Sequence, residues 1–422
     1  VAFLDAIGMG STAMTLPTAD GSNGQILKTD GSGTLSWTAN TAASGVNNLS
    51  DGLVESNSMY IGQDPSSTTN TAQQNVAVGT TAMDAVTTGD DNTAIGYDAL
   101  GALTTGASNT ALGSNTLKAN TSGNFNVGIG YGALVANTEG SSNIAIAHDA
   151  LKANTSGTRN IAIGYRALDV PDTENDNIAI GYDAMGGTIA GATLNIAIGN
   201  YSLDALTTGV RNVAVGNNSL TTNTTGQYNT SVGVNSMQAN TTGYQNVAMG
   251  ESSLKANTQG NQNVAIGNYS LTSNTTSSSN VGVGVGAAYN NTTGIDNVAV
   301  GFYASQFNKT GSYNIAIGKY ALKGASNQNM SRNTAVGWSA GDALETGTDN
   351  VIIGYESEAS ATGADNQIVI GQGATGQGDN YAVIGNADVT RLYAAQDGAG
   401  VLYANGTIQS SDRRIKHSIT DL

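Results

Sequence analysis

NVAMGESSLKANTQGNQ, residues 246–262, is followed at Asn263 by another version of itself. Its first five side chains alternate, Val247 and Met249 to one side and Asn246, Ala248 and Gly250 to the other, which is the period of a strand. Leu254 follows eight residues after the Asn. The tail ANTQG has turn chemistry, because Asn bonds its own backbone and Gly supplies positive φ. Each unit therefore reads as a strand, a second short strand or bend, and a tight loop.

Outward from this unit, the pattern N-[IVT]-A-[IV]-G recurs from Asn75 to Asn350. Of its 16 intervals 14 are 17 residues; the others are 18, Asn177 to Asn195, and 19, Asn314 to Asn333. The position eight after the Asn is Leu or Met in every unit from Asn75 to Asn263. Degenerate copies open at Asn57 (NSMYIG), Asn366 (NQIVIG) and Asn380 (NYAVIG), as terminal repeats do. A helix is a poor alternative, since Gly recurs in every unit and Asn-Thr-Thr-Gly would end it each time. The expected fold is all-β, a parallel β-solenoid (β-roll) of 17-residue coils. At about 4.8 Å per stacked strand, 17 coils would span roughly 80 Å.

Composition narrows the function classes. Gly is 56 of 422 residues but Pro only 3, which excludes a collagen helix. The charged fraction of 11% and the phased aliphatics speak against disorder. A net charge of −16 opposes binding to nucleic acid and to anionic membranes. Cys is absent, so disulfides, thiolate metal sites and cysteine nucleophiles are excluded. There is no run of ~20 apolar residues for membrane insertion, and VAFLDAIGMG lacks the basic flank and apolar stretch of a signal peptide.

The two sides of the strand carry different residues. The branched aliphatics are expected to fill the coil's own interior, and the Ala and Gly side to approach a second chain. The pattern N-x-A-I-G-x-x-[AS]-L resembles the head repeats of trimeric autotransporter adhesins over about 300 residues. That resemblance implies a left-handed roll assembled as an intertwined homotrimer.

The ends differ from the repeat. Residues 1–56 read as a connector or attachment segment, with Asp-Gly pairs at 20–21 and 30–31 flanking a hairpin-like Gln25–Thr29. The stretch TLPTADGSNGQILKTDGSGTLSW is similar to a segment common in bacteriophage tail fibres. The repeat shaft is expected over 57–390 and a β transition segment over 391–410. Residues 411–422, SDRRIKHSITDL, resemble the opening of the intramolecular chaperone of endosialidases and phage fibres, most of which would lie beyond Leu422. In that family Ser and Lys at the positions of Ser411 and Lys416 cut the chaperone off. The resemblance implies a cut between Ser411 and Asp412, with the Lys as base once burial or a cationic neighbour lowers its pKa.

Elsewhere the plainer readings prevail. Asn-Thr-Thr and Asn-Thr-Ser match glycosylation acceptors, yet turn chemistry accounts for them. His148 and His417 lie far apart, without metal-site or triad spacing. Tyr97, Tyr131, Tyr165 and Tyr182 share one position in the period, packing over neighbouring loops or binding glycan. No cofactor or metal is expected. The expected function is the shaft of a bacteriophage tail fibre, in the virion, with self, other virion proteins and a host surface glycan or protein as partners. The alternative is an extracellular bacterial trimeric adhesin head, which would carry a secretion signal and an anchor. A depolymerising tailspike needs paired carboxylates, which the scattered acidic residues do not supply; an ice-binding Thr ladder ranks last.

Overall fold

The computed structural model describes residues 22, 25–29, 34–39, 52–62, 68–325 and 328–392. It divides into two compact units, Val1–Thr276 and Ser277–Leu422.

In the first unit Gln25–Thr29 (β1) pairs antiparallel with Leu35–Ala39 (β2), the hairpin expected around the Asp-Gly turns. Gly52–Glu55 (β3) pairs antiparallel with Ser58–Ile61 (β4). Their link, Ser56 and Asn57, has φ of 45° and 62°, the double positive φ of a tight hairpin turn. β4 then pairs in parallel with Val76–Val78 (β5). From there each coil through Val264–Ile266 adds one three-residue parallel strand in register, Ile161 beside Ile178 and Ala162 beside Ala179. β3 thus occupies the open edge of the first coil, an edge that would otherwise invite a foreign strand.

The second unit repeats the arrangement from Val281–Val283 to Ala382–Ile384. Among the described residues there is no helix. Of the second short strand or bend expected in each unit, it is the bend that forms: among the described residues the rest of each coil is mainly turns, in which Asp98, Leu100 and Ser108 have φ of 56°, 52° and 58°. Left-handed conformations cost a non-glycine residue roughly 1–2 kcal/mol each, so packing must hold them.

The sides of the strand are the reverse of the expectation. The Ala column lies inside, with Ala94, Ala145, Ala162 and Ala179 at 0% exposure. The branched column faces out: Ile161 and Ile163 are half-buried, and Leu112 and Met249 are 45% and 42% exposed. The reason is thickness. Leu117, Leu134, Leu151 and Leu168 are fully buried and occupy the space beside the small residues. A Cβ placed on Gly128 would lie 3.4 Å from Leu117 Cδ1 and 2.5 Å from Thr116 Cγ2. A second branched column has no room. Size is traded between the columns: Gly341 takes the Leu position where Ile352 fills the strand's inner position, and a Cβ there would meet Ile352 Cδ1 at 3.0 Å.

The first Asn of each coil is also inside, and its side chain explains why it repeats. Asn75 Nδ2 donates to Gly89 O at 2.8 Å, tying the end of the coil to its beginning. Asn75 Oδ1 accepts from the N–H and Nδ2 of Asn92 at 2.9 and 3.1 Å, tying that coil to the next. Buried amides must be paired, and this ladder pairs them. At its two ends the slot belongs to the residue after the Asn read from sequence. Ser58 Oγ accepts from Asn75 N at 2.9 Å, and Gln367 N donates to Asn350 Oδ1 at 3.0 Å. Asn57 forms the hairpin turn, and Asn366 is exposed with φ 51°. The spacing therefore stays at 17 at both places.

A second Asn column, in the A-N-T tails, is buried too: Asn137 Nδ2 donates to Asn120 Oδ1, and Asn154 Nδ2 to Asn137 Oδ1, both at 2.8 Å. It is interrupted where Pro171, 17 residues after Asn154, offers no side-chain donor and leaves Asn154 Oδ1 without a partner, and it resumes at Asn223, whose Oδ1 accepts from Asn240 Nδ2 at 2.7 Å. Thr121 Oγ1 donates to Thr138 O at 3.2 Å. The glycosylation-like triplets are accordingly interior turn chemistry, as expected.

Candidate functional site

Three surfaces of the first unit carry side chains free to meet a partner. The first is the outward face of the parallel sheet, two aliphatic columns that include Ile144, Ile161 and Ile178 and, beside them, Ile146, Ile163 and Ile180. From Val127 to Val215 the register aligns like with like, so the apolar surface is continuous there; Thr93, Thr110 and Thr230 interrupt the first column on either side.

The second surface is formed by the residue after the strand's Gly. Tyr131, His148, Tyr165, Tyr182 and, one position further on, Tyr201 form a run with ring centroids 5.1, 5.4, 5.3 and 5.3 Å apart. The first three contacts are stacked and the last edge-on. Stacked rings favour such offset contact, so Tyr131, Tyr165 and Tyr182 do pack over their neighbours, whereas Tyr97, flanked in the column by Thr80 and Ser114, is 55% exposed and outside the run. His148 belongs to it. Read as a residue type it looked isolated; its place five residues after Asn143, shared with Tyr131 and Tyr165, was the signal available in the sequence. The second unit has a similar run, in which Trp338 stacks on Tyr355 at 4.9 Å.

Ionised groups beside this run are mostly tied to one another. Lys118 Nζ lies 2.8 Å from Asp98, and Lys152 Nζ 2.9 Å from Asp149. The hydrogen bond from Lys118 lowers the Asp98 carboxyl below its ordinary value. Asp169 goes the other way: burial raises it although Arg166 Nε sits 2.7 Å away. In the second unit, burial and then the neighbouring Asp342 push the Glu358 carboxyl up to about 8.

The third surface is the turn just before each Asn. Here Arg159 grips Asp176 with two bonds of 2.6 and 2.8 Å, an exposed pair that water and salt screen. Further along, Arg211 Nη1 donates to Tyr228 Oη at 2.9 Å, with its guanidinium 5.5 Å from the ring centre. Past Tyr228 the surface opens into a cavity of ≈ 350 Å³. Sequence reading missed it, because this column varies in type from coil to coil.

Ser411 and Lys416, the two residues assigned to self-cleavage, and His417 lie outside the described residues. Among the described residues no group of three or more His, Cys, Asp or Glu is placed to hold a metal ion. No helix among them is long and apolar enough to cross a membrane. No family model matches the chain, and a search of curated proteins finds no match.

Proposed function

We propose that the chain is the structural shaft of a viral tail fibre or similar appendage, self-assembled as a homotrimer and contributing to attachment at a host surface. The observation that carries this reading is the outward sheet face. From Val76 to Ile266 it presents one column that is apolar in every coil and, beside it, one that is aliphatic except at Thr93, Thr110 and Thr230, over twelve coils that would span roughly 60 Å at about 4.8 Å each. Contiguous apolar patches larger than a few hundred Å² are rare on monomers and mark interaction sites. An identical copy is the partner this face fits best, because its columns have the same spacing along their whole length. The tail-fibre-like segment in 1–56 and the chaperone-like 411–422 favour a virion over a bacterial surface. Within the same proposal Ser411 and Lys416 perform a single self-cleavage, so a complete gene carrying Ser411→Ala should give an uncut band on a gel where wild type gives a cut one.

Sedimentation equilibrium tests the assembly. Wild type should sediment at three times 42.5 kDa. The double variant Ile161→Glu, Ile163→Glu should shift toward monomer with its circular dichroism unchanged, and Ile163→Ser should shift less. A monomeric wild type at micromolar concentration, or a glutamate variant still trimeric, overturns the reading.

A further inference from the structure

The cavity beside Tyr228 is built from the tails of two successive coils: Thr225, Gln227 and Tyr228 from one, Thr242, Tyr244 and Gln245 from the next. Because these tails are 17 residues apart in a stack of period 17, Gln227 lies in the same column as Tyr244, and Tyr228 in the same column as Gln245. The two rings therefore sit diagonally, each with an amide beside it. Both rings are nearly half exposed, 46% for Tyr228 and 45% for Tyr244.

The lining has no carboxylate, ammonium or guanidinium. It offers two amides, each able to donate and accept, four hydroxyls with the same dual capacity, and two aromatic rings. Such a set suits a ligand that is uncharged, rich in hydroxyls and apolar on the faces of its rings. Its size lies at the lower end of the ~300–1,000 Å³ typical of ligand clefts. The aromatic run from Tyr131 to Tyr182 is a poorer candidate, because those rings cover one another's faces at 5.1–5.4 Å. The smaller cavity near Tyr131, ≈ 250 Å³, has Lys118, Asp149 and Lys152 in its lining, and those lysines are already held by carboxylates.

We propose that the Tyr228–Tyr244 cavity binds a neutral pyranose unit of a glycan, its C–H face against a tyrosine ring and its hydroxyls bonded to Gln227, Gln245 and the threonines. Arg211 is a positioning residue, holding Tyr228 from the preceding coil through the 2.9 Å bond. This binding goes beyond the shaft reading, and its test reads ligand retention rather than chain number, so either can fail without the other.

The experiment applies the full chain to an array of neutral gluco-, galacto- and N-acetylglucosamine oligosaccharides beside sialylated and sulfated ones. The best neutral member is then titrated by calorimetry. Retention of neutral members is expected, with little dependence on salt, because no ion pair forms. Tyr228→Ala and Tyr244→Ala should each weaken binding at least tenfold, Gln227→Ala several-fold, and Tyr182→Ala less than twofold. Equal melting temperatures would show that the variants fold, and Gln227, exposed in its turn, serves if a tyrosine variant does not. Retention of no neutral glycan, a preference for the acidic ones, or undiminished binding by folded Tyr244→Ala and Gln227→Ala overturns the proposal.

Discussion

Replacing Asn229 isolates what the buried ladder contributes. Its Nδ2 donates to Asn212 Oδ1 at 3.2 Å and to Gly243 O at 2.8 Å, and its Oδ1 accepts from Asn246 N at 3.0 Å and Asn246 Nδ2 at 3.1 Å. In Asn229→Ala most of the former partners keep another bond. Gly243 O still accepts from Asn240 at 3.0 Å, Asn246 Nδ2 still donates to Gly260 O at 2.9 Å, and Asn212 Oδ1 still accepts from residue 229's own N–H. The Asn246 N–H alone is stranded in the interior. An orphaned buried donor costs about 1–3 kcal/mol and each of the three other bonds lost about 0.5–1.5, so the variant should lose about 2.5–7.5 kcal/mol.

Asn229→Ser should lose only about half as much. Ser58 already fills this slot in the first coil and accepts from Asn75 N at 2.9 Å, so a serine still receives the N–H of the next coil. In a stack whose units meet only their neighbours the loss is local, and amide hydrogen exchange of Asn246 reads it directly. At about 1.4 kcal/mol per factor of ten, exchange should accelerate about a hundredfold or more in the alanine variant and about tenfold or more in the serine variant. Equal acceleration in the two, or less than tenfold in Asn229→Ala, would refute the ladder as the element that holds coil to coil.

Two further outcomes follow from local geometry. Ala147 occupies the position after the strand that is Gly in the neighbouring coils, at φ 110°, where a Cβ is strained; Ala147→Gly should stabilise the first unit by about 1 kcal/mol, read as a raised midpoint in urea. By contrast Gly96→Ala, whose Cβ would lie 2.5 Å from Gly113 O, should lower it. Glu358 gives a pH dependence: its folded value of about 8 lies above the ordinary 4.5, so its contribution is fully present below about pH 4.5 and is lost as pH rises through about 8. The second unit should therefore be less stable at pH 9 than at pH 5, and Glu358→Gln should flatten that slope; an unchanged slope in the variant would refute it.

The period, the strand and the Leu column were legible because each is stated afresh in coil after coil. Which side of the strand faces inward was not. Alternation fixes two sides but names neither as interior, and the decision falls to the width of the coil, where Leu117 and its counterparts already take the space beside the alanines. At the ends, Asn57 and Asn366 each stand one residue before the true slot and drew the reading away from Ser58 and Gln367, whose polar side chains and backbone serve the same ladder. His148 was hidden by its type and visible by its phase. The Tyr228–Tyr244 cavity had no phase to show it, since the same turn position holds Arg211 one coil earlier and Gln262 one coil after Gln245.

The reversed faces give the ladder a second consequence, for the outer surface. A strand that slipped by one residue would turn its alanines out and its isoleucines in, and the aliphatic columns would break. Both irregular coils show how this is avoided. In the 18-residue coil Asn195 N still donates to Asn177 Oδ1 at 3.0 Å and Met185 N still donates to Ser202 O at 2.9 Å, but Asn177 Nδ2 closes on Ala192 O, 15 residues ahead rather than 14. The extra residue therefore lies between Met185 and Ala192. In the 19-residue coil Asn333 N bonds Asn314 Oδ1 at 3.1 Å, Leu322 N bonds Ala340 O at 3.0 Å, and Asn314 Nδ2 closes on Met330 O, 16 residues ahead. Its two extra residues lie between Leu322 and Met330. Both insertions fall in the turn after the buried Leu or Met, so Ile178 still meets Ile196 and Ile315 still meets Thr334. An interior built of small residues and shared amides tolerates change only where the chain is outside the ladder, and by holding register there it keeps the outward aliphatic face in line within each unit.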